Sequence, residues 1–292
     1  MAQAKYKTAP VPTEKMPSGI PYIVGNEAAE RFSFYGMRGI LVVFMTQFML
    51  NASGKPDHMQ NEQAIAYFHQ FVAAVYFFPL LGSILSDVFW GKYKTILILS
   101  IVYCLGHLAL AIDETRVGLF IGLSLIAIGA GGIKPCVSAH VGDQFGNKNH
   151  HLLSKVFGWF YLAINLGAFV ASIMIPKVLE YYGPHYAFGI PGILMLLATI
   201  LFWLGRNQFV HIPASGWKKF RTETFGKEGL QALLNLSVLY YVFLPIFWSL
   251  FDQTGSSWVL QGVNMNQDLM TPWGNIKLGA AEVQAFNPLF IL

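Results

Sequence analysis

The sequence predicts an all-α membrane protein: a six-helix bundle of inverted three-helix repeats, then a seventh helix and part of an eighth. Of the 292 residues, 54% are hydrophobic and only 12% are charged, whereas soluble domains average about 25% charged residues. Uncharged windows recur at spanning length, roughly 20 residues. The 28 glycines and the 15% aromatic content are typical of packed membrane helices with aromatic residues at their interfaces.

The predicted spans follow one another along the chain. The first covers 23–52, and uncharged windows for helices two to seven lie at 63–86, 95–112, 117–133, 156–176, 181–205 and 229–251. A last apolar run, 283–292, stops after ten residues, so we expect helix eight to be cut short and the chain to be part of a larger protein. The predicted divisions are a tail (1–22), a six-helix bundle (23–205), a linker (206–228) and the start of a second bundle (229–292).

The distribution of lysine and arginine predicts the orientation. With the N-terminus inside, the inner segments hold 12 of the 19 basic residues, the outer segments hold 4, and Arg31, Arg38 and Lys134 lie within helices. Because basic residues concentrate in cytoplasmic loops, we expect a multi-pass protein of the cell (inner) membrane with a cytoplasmic N-terminus. Residues 1–21 contain no apolar signal-peptide core, and Cys104 and Cys136 lie in apolar stretches that predict no disulfide.

The first helix carries an unusual set of charges. Their spacing places them on one helix face with two aromatic residues: Glu27, Glu30, Arg31, Phe34, Tyr35 and Arg38. Each charge would cost about 2.5–3.5 kcal/mol near the centre of a membrane helix, so the charges must pair or face water. In a soluble protein the same pattern would indicate surface ion pairs, but the composition argues against that class.

Helices four and seven add Lys134 and Asp252. Lys134 follows a glycine-rich stretch that favours close helix packing. A phosphate-binding loop is rejected because no Ser or Thr follows the lysine and no strand precedes the glycines. Lys134 could instead snorkel to the inner interface. Helices one, four and seven are each the first member of a three-helix set. Membrane proteins built from inverted repeats place their sites at such equivalent positions. We therefore expect these charges to converge on one central cavity.

Two further motifs carry weaker predictions. The short turn GSILSD at 82–87 and GKYKT at 91–95 places Asp87 where it can pair with basic groups or a helix N-terminus. His140, His150 and His151 with Asp143 have irregular spacing, so we expect a solvated loop and no metal. We also expect no cofactor and no nucleic-acid partner.

Several stretches together resemble the proton-dependent oligopeptide transporter (POT/PTR) family of the major facilitator superfamily. They are Glu27-x-x-Glu30-Arg31-Phe32-x-x-Tyr35-Gly36, GGIKPCVSAHVGDQF at 131–145, FYLAINLG at 160–167, FWSLFDQ at 247–253 and NPLF at 287–290. The turn at 82–95 also resembles the superfamily's loop signature, with Ser86 and Lys92 as variants. The resemblance implies a major facilitator fold and proton-coupled import of di- and tripeptides by alternating access. It also implies that further C-terminal helices of the transporter complete the fold, with peptides, protons and the lipid bilayer as partners.

The same resemblance implies roles for individual residues. The proton-coupling residues would be Glu27, Glu30, Arg31, His69, Lys134 and Asp252, with Asp252 also helping to gate the outer side. The residues lining the peptide site would be Arg31, Tyr35, Arg38, Tyr76, Lys134, Asn165, Trp248 and Asn287. His69 matches a histidine that animal peptide transporters need, yet a lone membrane histidine often only joins two helices, and both interpretations stay open. The sequence departs from the family pattern at two positions: Phe34 replaces a tyrosine that is usual there, and His140 replaces a usual aromatic residue. In the family, the acid that holds the peptide amino group lies in a helix beyond this chain.

The chemistry agrees with this resemblance. Arg38 and Lys134 suit a peptide carboxylate, one as a planar fork and the other as a point charge, and protonation of Glu27 or Glu30 would free a paired cation for substrate. The alternatives are the same fold moving nitrate or another small anion or amphiphile, an intramembrane enzyme using Glu30 and His69 as acid and base, and a non-transporting receptor. No nucleophile–base pair or metal spacing supports the enzyme. We expect these 292 residues alone to insert yet transport nothing.

Overall fold

The structure, a computed structural model, describes residues 6–272 and 274–292. Long helices dominate the first two thirds of the chain. In chain order they are α1 (Ile20–Gln47), α2 (Asn61–Ile84, continued by the π-helical turn Leu85–Trp90), α3 (Lys92–Ile112), α4 (Arg116–Gly142), α5 (Leu153–Tyr182) and α6 (Pro184–Leu204).

Local chemistry explains where these helices begin and end. Gly91 and Gly183 have φ values of 76° and 84°, a left-handed conformation that glycine adopts without strain, and they allow the tight connections from α2 to α3 and from α5 to α6. The hydroxyl of Thr115 accepts hydrogen bonds from the backbone N–H groups of Val117 and Gly118, which caps the start of α4.

The helix bounds differ from the hydropathy windows at several ends. The first helix ends at Gln47 and not near residue 52, because the polar segment that follows forms a turn closed by a bond from Asn51 N–H to the Lys55 carbonyl. α4 continues nine residues past 133 to Gly142, so Lys134 lies about two turns inside the helix and not near its end. α5 continues to Tyr182, past the charged residues at which its uncharged window ended.

Six helical segments among the described residues are long and apolar enough to cross a membrane: Asn61–Trp90, Lys92–Ile112, Arg116–Gly142, His150–Tyr182, Pro184–Asn207 and Lys227–Val263. α1, at 28 residues, is also of spanning length, but its buried charges set its composition apart from these six. Within the bundle α1 packs on α5 and α6, while α4 packs on α2 and α3.

Glycines bring α2 and α4 into backbone contact. A Cβ atom added to Gly82 would lie 2.1 Å from the carbonyl oxygen of Gly132, far inside van der Waals contact. Small residues at helix crossings are a common means of close packing in membranes. The thiol of Cys136 lies 3.7 Å from the Gly82 carbonyl oxygen at the same crossing. The backbones of α2 and α4 are therefore in direct contact at Gly82 and Gly132.

The segment after α6 is more ordered than a simple linker. A 3-10 turn, Gly205–Asn207, leads to a short helix, α7 (Gly216–Phe225). Between them the Gln144 side chain accepts from Val210 N–H at 2.8 Å and donates to the Val210 carbonyl at 3.4 Å, so it imitates a strand partner. These contacts hold the start of the linker against the end of α4.

The last part of the chain forms the seventh span and a hairpin. The span, Lys227–Val263, comprises α8 (Lys227–Val238), a π-helical turn (Leu239–Phe243), α9 (Leu244–Phe251), a 3-10 turn (Asp252–Gly255) and α10 (Ser257–Val263). Two short antiparallel strands follow, β1 (Asp268–Thr271) and β2 (Gly274–Lys277), then a 3-10 turn (Glu282–Ala285) and α11 (Phe286–Ile291). The hairpin was not predicted and is the exception to the all-α fold among the described residues.

Candidate functional site

A buried ion cluster lies on one face of α1. Arg31 Nε donates to Glu27 Oε1 at 2.8 Å and lies 2.6 Å from Glu30 Oε2. All three side chains are almost completely buried, and helical spacing brings Glu27 one turn below the other two. Two carboxylates and one guanidinium leave an excess negative charge when both acids are ionised. Such an excess is costly in a buried site, so the cluster favours a proton or a second cation nearby.

Lys134 faces aromatic rings. Its Nζ atom lies 5.5 Å from the ring centroid of Phe34 and 5.4 Å from that of Tyr76, and Trp248 packs on Tyr76 with ring centroids 5.5 Å apart. Cation–π contacts of this kind stabilise a desolvated ammonium. Among the described residues, Lys134 forms no ion pair within 4 Å with an acid of α1, although its ammonium interacts electrostatically with Glu30 and Glu27.

A second ion pair joins α1 to the seventh span. Arg38 Nη2 donates to Asp252 Oδ1 at 2.6 Å, and both side chains are buried. The guanidinium also lies 5.3 Å from the ring centroid of Phe68. One turn further along the span, Ser256 Oγ and His69 Nε2 are 3.0 Å apart. The predicted residues Arg38, His69 and Asp252 therefore lie together where α1, α2 and the seventh span meet.

A cavity of about 510 Å³ lies beside the Arg38–Asp252 pair, within the usual size range of small-molecule sites, roughly 300–1,000 Å³. Of the predicted substrate residues, Tyr35, Arg38, Asn165 and Asn287 line it. Its lining does not include Arg31, Tyr76, Lys134 or Trp248 among the described residues. Adjacent α1 residues connect the two groups, because the rings of Phe34 and Tyr35 pack edge to face at 5.6 Å.

Several polar residues that line the cavity were missed in the sequence. They are Ser172, Thr254, Gln261 and Gln284. Helical spacing could have found two of them: Ser172 follows Asn165 by seven residues, and Gln284 precedes Asn287 by three, so each pair falls on one helix face. Gln284 also donates to the Gly39 carbonyl at 3.3 Å, which links this segment to α1.

The histidine and loop predictions need two corrections. His140 does not lie in a solvated loop: it is buried in α4, with its ring centroid 5.1 Å from that of Phe209, and its ring nitrogens have no hydrogen-bond partner among the described residues. No group of three potential metal ligands occurs in the part of the chain that the structure describes. At the α2–α3 turn, Lys92 pairs with Asp143 at 2.8 Å, while Asp87 accepts from the Ser86 hydroxyl.

Comparisons with known proteins place these features in a family. The family profile described as PTR2: POT family matches residues 93–227 and 217–292. Human solute carrier family 15 member 2 is 33% identical over 94% of this chain and 43% of that protein. Peptide transporter family 1 of Drosophila melanogaster is 35% identical over 94% of this chain and 42% of that protein. The chain thus spans less than half the length of these curated relatives.

A solved structure gives the same result for the fold. The crystal structure of the POT family transporter PepTSo is 38% identical and superposes with a TM-score of 0.76, over 95% of this chain and 67% of that chain. The apolar spans and these relatives identify an integral membrane protein with the major facilitator fold. The chain belongs to the POT family.

Proposed function

We propose that the protein is a proton-coupled symporter that imports di- and tripeptides by alternating access. The observation that carries this proposal is the cavity itself: Arg38, Tyr35, Asn165 and Asn287 line one space beside α1, the helix that also carries a buried cluster with one excess acid. A substrate-sized cavity and a protonatable group therefore share a single helix. The curated relatives named above are transporters, one of them named as a peptide transporter, and this supports transport over the enzyme and receptor alternatives.

Arg38 is the proposed carboxylate-binding residue of the cavity. A guanidinium binds a carboxylate through two parallel hydrogen bonds, and Arg38 already binds the carboxylate of Asp252. A peptide carboxylate would exchange with Asp252 as ligand of the same cation. Asn165 and Asn287 supply neutral hydrogen bonds from α5 and α11, on two sides of the cavity. An aromatic–cation group lies outside the cavity and consists of Tyr76, Lys134 and Trp248. It would contact a longer substrate, or the substrate in a different conformer of the protein.

Glu30 and Glu27 are the proposed proton acceptors. Both compete for one guanidinium, that of Arg31, so a proton on either removes the excess charge and leaves a balanced pair. When the site is deprotonated, the second acid attracts Lys134 from its aromatic position. Proton binding would thus decide whether Lys134 is free for substrate. We propose that His69 and Asp252 act with Arg38, about two turns further along α1.

The contacts at the proposed outer side support a conformer that is closed there. Lys277 of β2 donates to Glu180 of α5 at 3.0 Å, and Lys177 lies 3.8 Å from Glu282. The hydrogen bond that Lys277 donates to the Glu180 carboxylate raises the pKa of its ammonium above the ordinary value. The two lysine pairs tie the first bundle to the segments after the seventh span, and Arg38–Asp252 ties it to the span itself. We also propose the domain division given above and a location in the cell membrane. The excess of basic residues on one side supports a cytoplasmic N-terminus.

The test is counterflow and driven uptake in proteoliposomes in which the chain is combined with the C-terminal helices that the sequence analysis expects to complete the fold. One proton crossing a potential of about 100 mV releases about 2.3 kcal/mol, which supports roughly 50-fold accumulation of a neutral peptide. We expect labelled dialanine to accumulate on a pH gradient and to exchange with unlabelled dialanine in its absence. Accumulation of labelled nitrate without dialanine would instead favour an anion transporter. Neither flux, with the fold verified, would contradict the proposal.

A further inference from the structure

The short helix α7 has an unusual surface. Its sequence is GWKKFRTETF, and none of its ten residues is buried. At 3.6 residues per turn, Trp217, Phe220 and Phe225 fall within an arc of about 140°. The rings of Trp217 and Phe220 stack with centroids 5.6 Å apart, while Trp217 and Phe225 remain more than half exposed. The helix therefore presents an aromatic face that the described part of the chain does not cover.

The charges of α7 are sorted around this face. Lys218 and Arg221 lie beside or within the aromatic arc, and no ion pair among the described residues involves either of them. The only acid, Glu223, lies on the opposite side and is 3.7 Å from Lys219. The aromatic face thus carries two cations without acids, and the opposite face holds a neutral pair.

Both ends of α7 are attached to ends of membrane spans. Just before the helix, the backbone N–H and the hydroxyl of Ser215 donate to the Asp87 carbonyl at 2.7 Å and 3.1 Å, in the turn that ends the second span. Just after it, Gly226 leads directly into the span that begins at Lys227. A helix held at both ends where spans leave the membrane lies at the level of the headgroups.

We propose that α7 is a surface helix that binds the anionic headgroups of the surrounding bilayer through Lys218 and Arg221, with Trp217, Phe220 and Phe225 inserted at the interface. Amphipathic helices with aromatic residues on one face and basic residues beside them bind membranes in this way, and indole rings prefer the headgroup level. The basic side chains can extend their charges to the headgroups while their stems cover apolar surface. This proposal rests on the membrane-embedded fold and does not depend on peptide transport.

The experiment measures lipid contact at Trp217 in nanodiscs. The probes are brominated phosphatidylglycerol, which is anionic, and brominated phosphatidylcholine, which has no net charge. Trp217→Phe isolates the contribution of Trp217 from those of the other tryptophans by difference. We expect Trp217 to be quenched by both lipids and to prefer phosphatidylglycerol, with a preference that declines as salt rises.

Charge variants then test the mechanism. K218Q/R221Q should lower the preference for phosphatidylglycerol over phosphatidylcholine by roughly fivefold for each charge removed. K94Q/K148Q, which removes two exposed charges on the same proposed side but outside α7, should leave it unchanged. Glu223→Gln should raise it, because Lys219 then loses its partner.

Three outcomes would overturn the proposal. Absence of quenching by either lipid would mean that protein covers this face. An equal affinity for the two lipids that K218Q/R221Q does not alter would remove the role of the cations. An equal loss in K94Q/K148Q would show that only the overall charge of the protein matters. Because the Glu223→Gln effect has the opposite sign, misfolding of the double variant would not conceal the answer.

Discussion

The ion cluster of α1 and the ion pairs at the proposed outer side both join carboxylates to cations, but in opposite settings. Glu27 and Arg31 lie on one helix with about 5% of each side chain exposed, whereas Glu180 and Lys277 are 97 residues apart with more than half of each exposed. A pair within one helix persists when helices move. A pair between distant segments lasts only while those segments are together. A pair within one helix can therefore hold a proton throughout a conformational change. A pair between distant segments forms in one conformation and breaks in another.

Burial decides how much each kind contributes. Exposed pairs contribute about 0–1 kcal/mol, while loss of one partner of a buried pair costs about 3–5 kcal/mol because the remaining charge is uncompensated. Arg38–Asp252 is the informative intermediate, since it is buried like the first kind and joins distant segments like the second. It should therefore hold the closed conformer more strongly than any exposed pair.

The largest effect is expected from breaking that intermediate pair. Arg38→Ala or Asp252→Asn should destabilise the conformer closed at the proposed outer side by about 3–5 kcal/mol. Residues 55 and 266 are both exposed and can carry spin labels. The distance between these labels, measured by double electron–electron resonance, should lengthen. R38Q/D252N, which removes both charges, should lose less than either single variant. An unchanged distance distribution in Arg38→Ala would show that the pair does not hold the conformer.

Glu30→Gln should have the next largest effect, and on coupling only. The variant leaves Arg31 with Glu27 as its single acid, so the cluster is balanced without a proton. Peptide accumulation on a pH gradient equivalent to about 100 mV should fall from about 50-fold to equality across the membrane, while exchange of labelled peptide continues. Glu62→Gln, an exposed acid at the start of α2, is the control. Full accumulation by Glu30→Gln would remove Glu30 from the coupling mechanism.

Lys134→Ala should reduce driven uptake by roughly thirtyfold, since the contacts of its ammonium with Phe34 and Tyr76 are each worth about 1 kcal/mol. Lys134→Arg keeps the charge above the rings and should retain more activity. The uptake rate and the dialanine affinity should be measured together. Wild-type values for Lys134→Ala would mean that this lysine only snorkels.

The smallest effect is expected at the exposed outer pair. E180Q or K277Q should change the fraction of the closed conformer by no more than about fivefold, and the change should vanish at high salt. The charge exchange E180K/K277E should restore the original fraction at low salt. The fraction of the closed conformer is measured with the same spin-label distances. A salt-independent effect as large as that of Arg38→Ala would contradict the comparison between buried and exposed pairs.

Hydropathy and motif order were sufficient for the spans, the family and the charged face of α1. They failed where a helix continues through a charge: the uncharged window ends at Lys134, yet α4 runs past it, since Pro135 removes one backbone N–H donor without ending the helix. This error moved Lys134 toward a helix end and made snorkelling look plausible. The hairpin was missed because its strands have four residues each and no long alternation.

The candidate site was predicted as one cavity but is divided in two. Spacing along α1 placed Phe34 and Tyr35 on the same face, yet the first contacts Lys134 and the second lines the cavity. Only the packing of α4 and the seventh span against α1 decides this division, and those contacts are distant in sequence. The same limit applies to His140, whose burial depends on Phe209 in the linker.

The Gly82–Gly132 crossing has a mechanical consequence. Where the two backbones touch, a movement of α2 presses directly on α4, so we expect the two helices to tilt together. His69 lies thirteen residues before Gly82, and Lys134 lies two residues after Gly132. A tilt of this rigid pair would therefore displace His69 by a long lever arm and Lys134 by a short one. A small movement at the lysine becomes a large one at the histidine, on the far side of the same pivot.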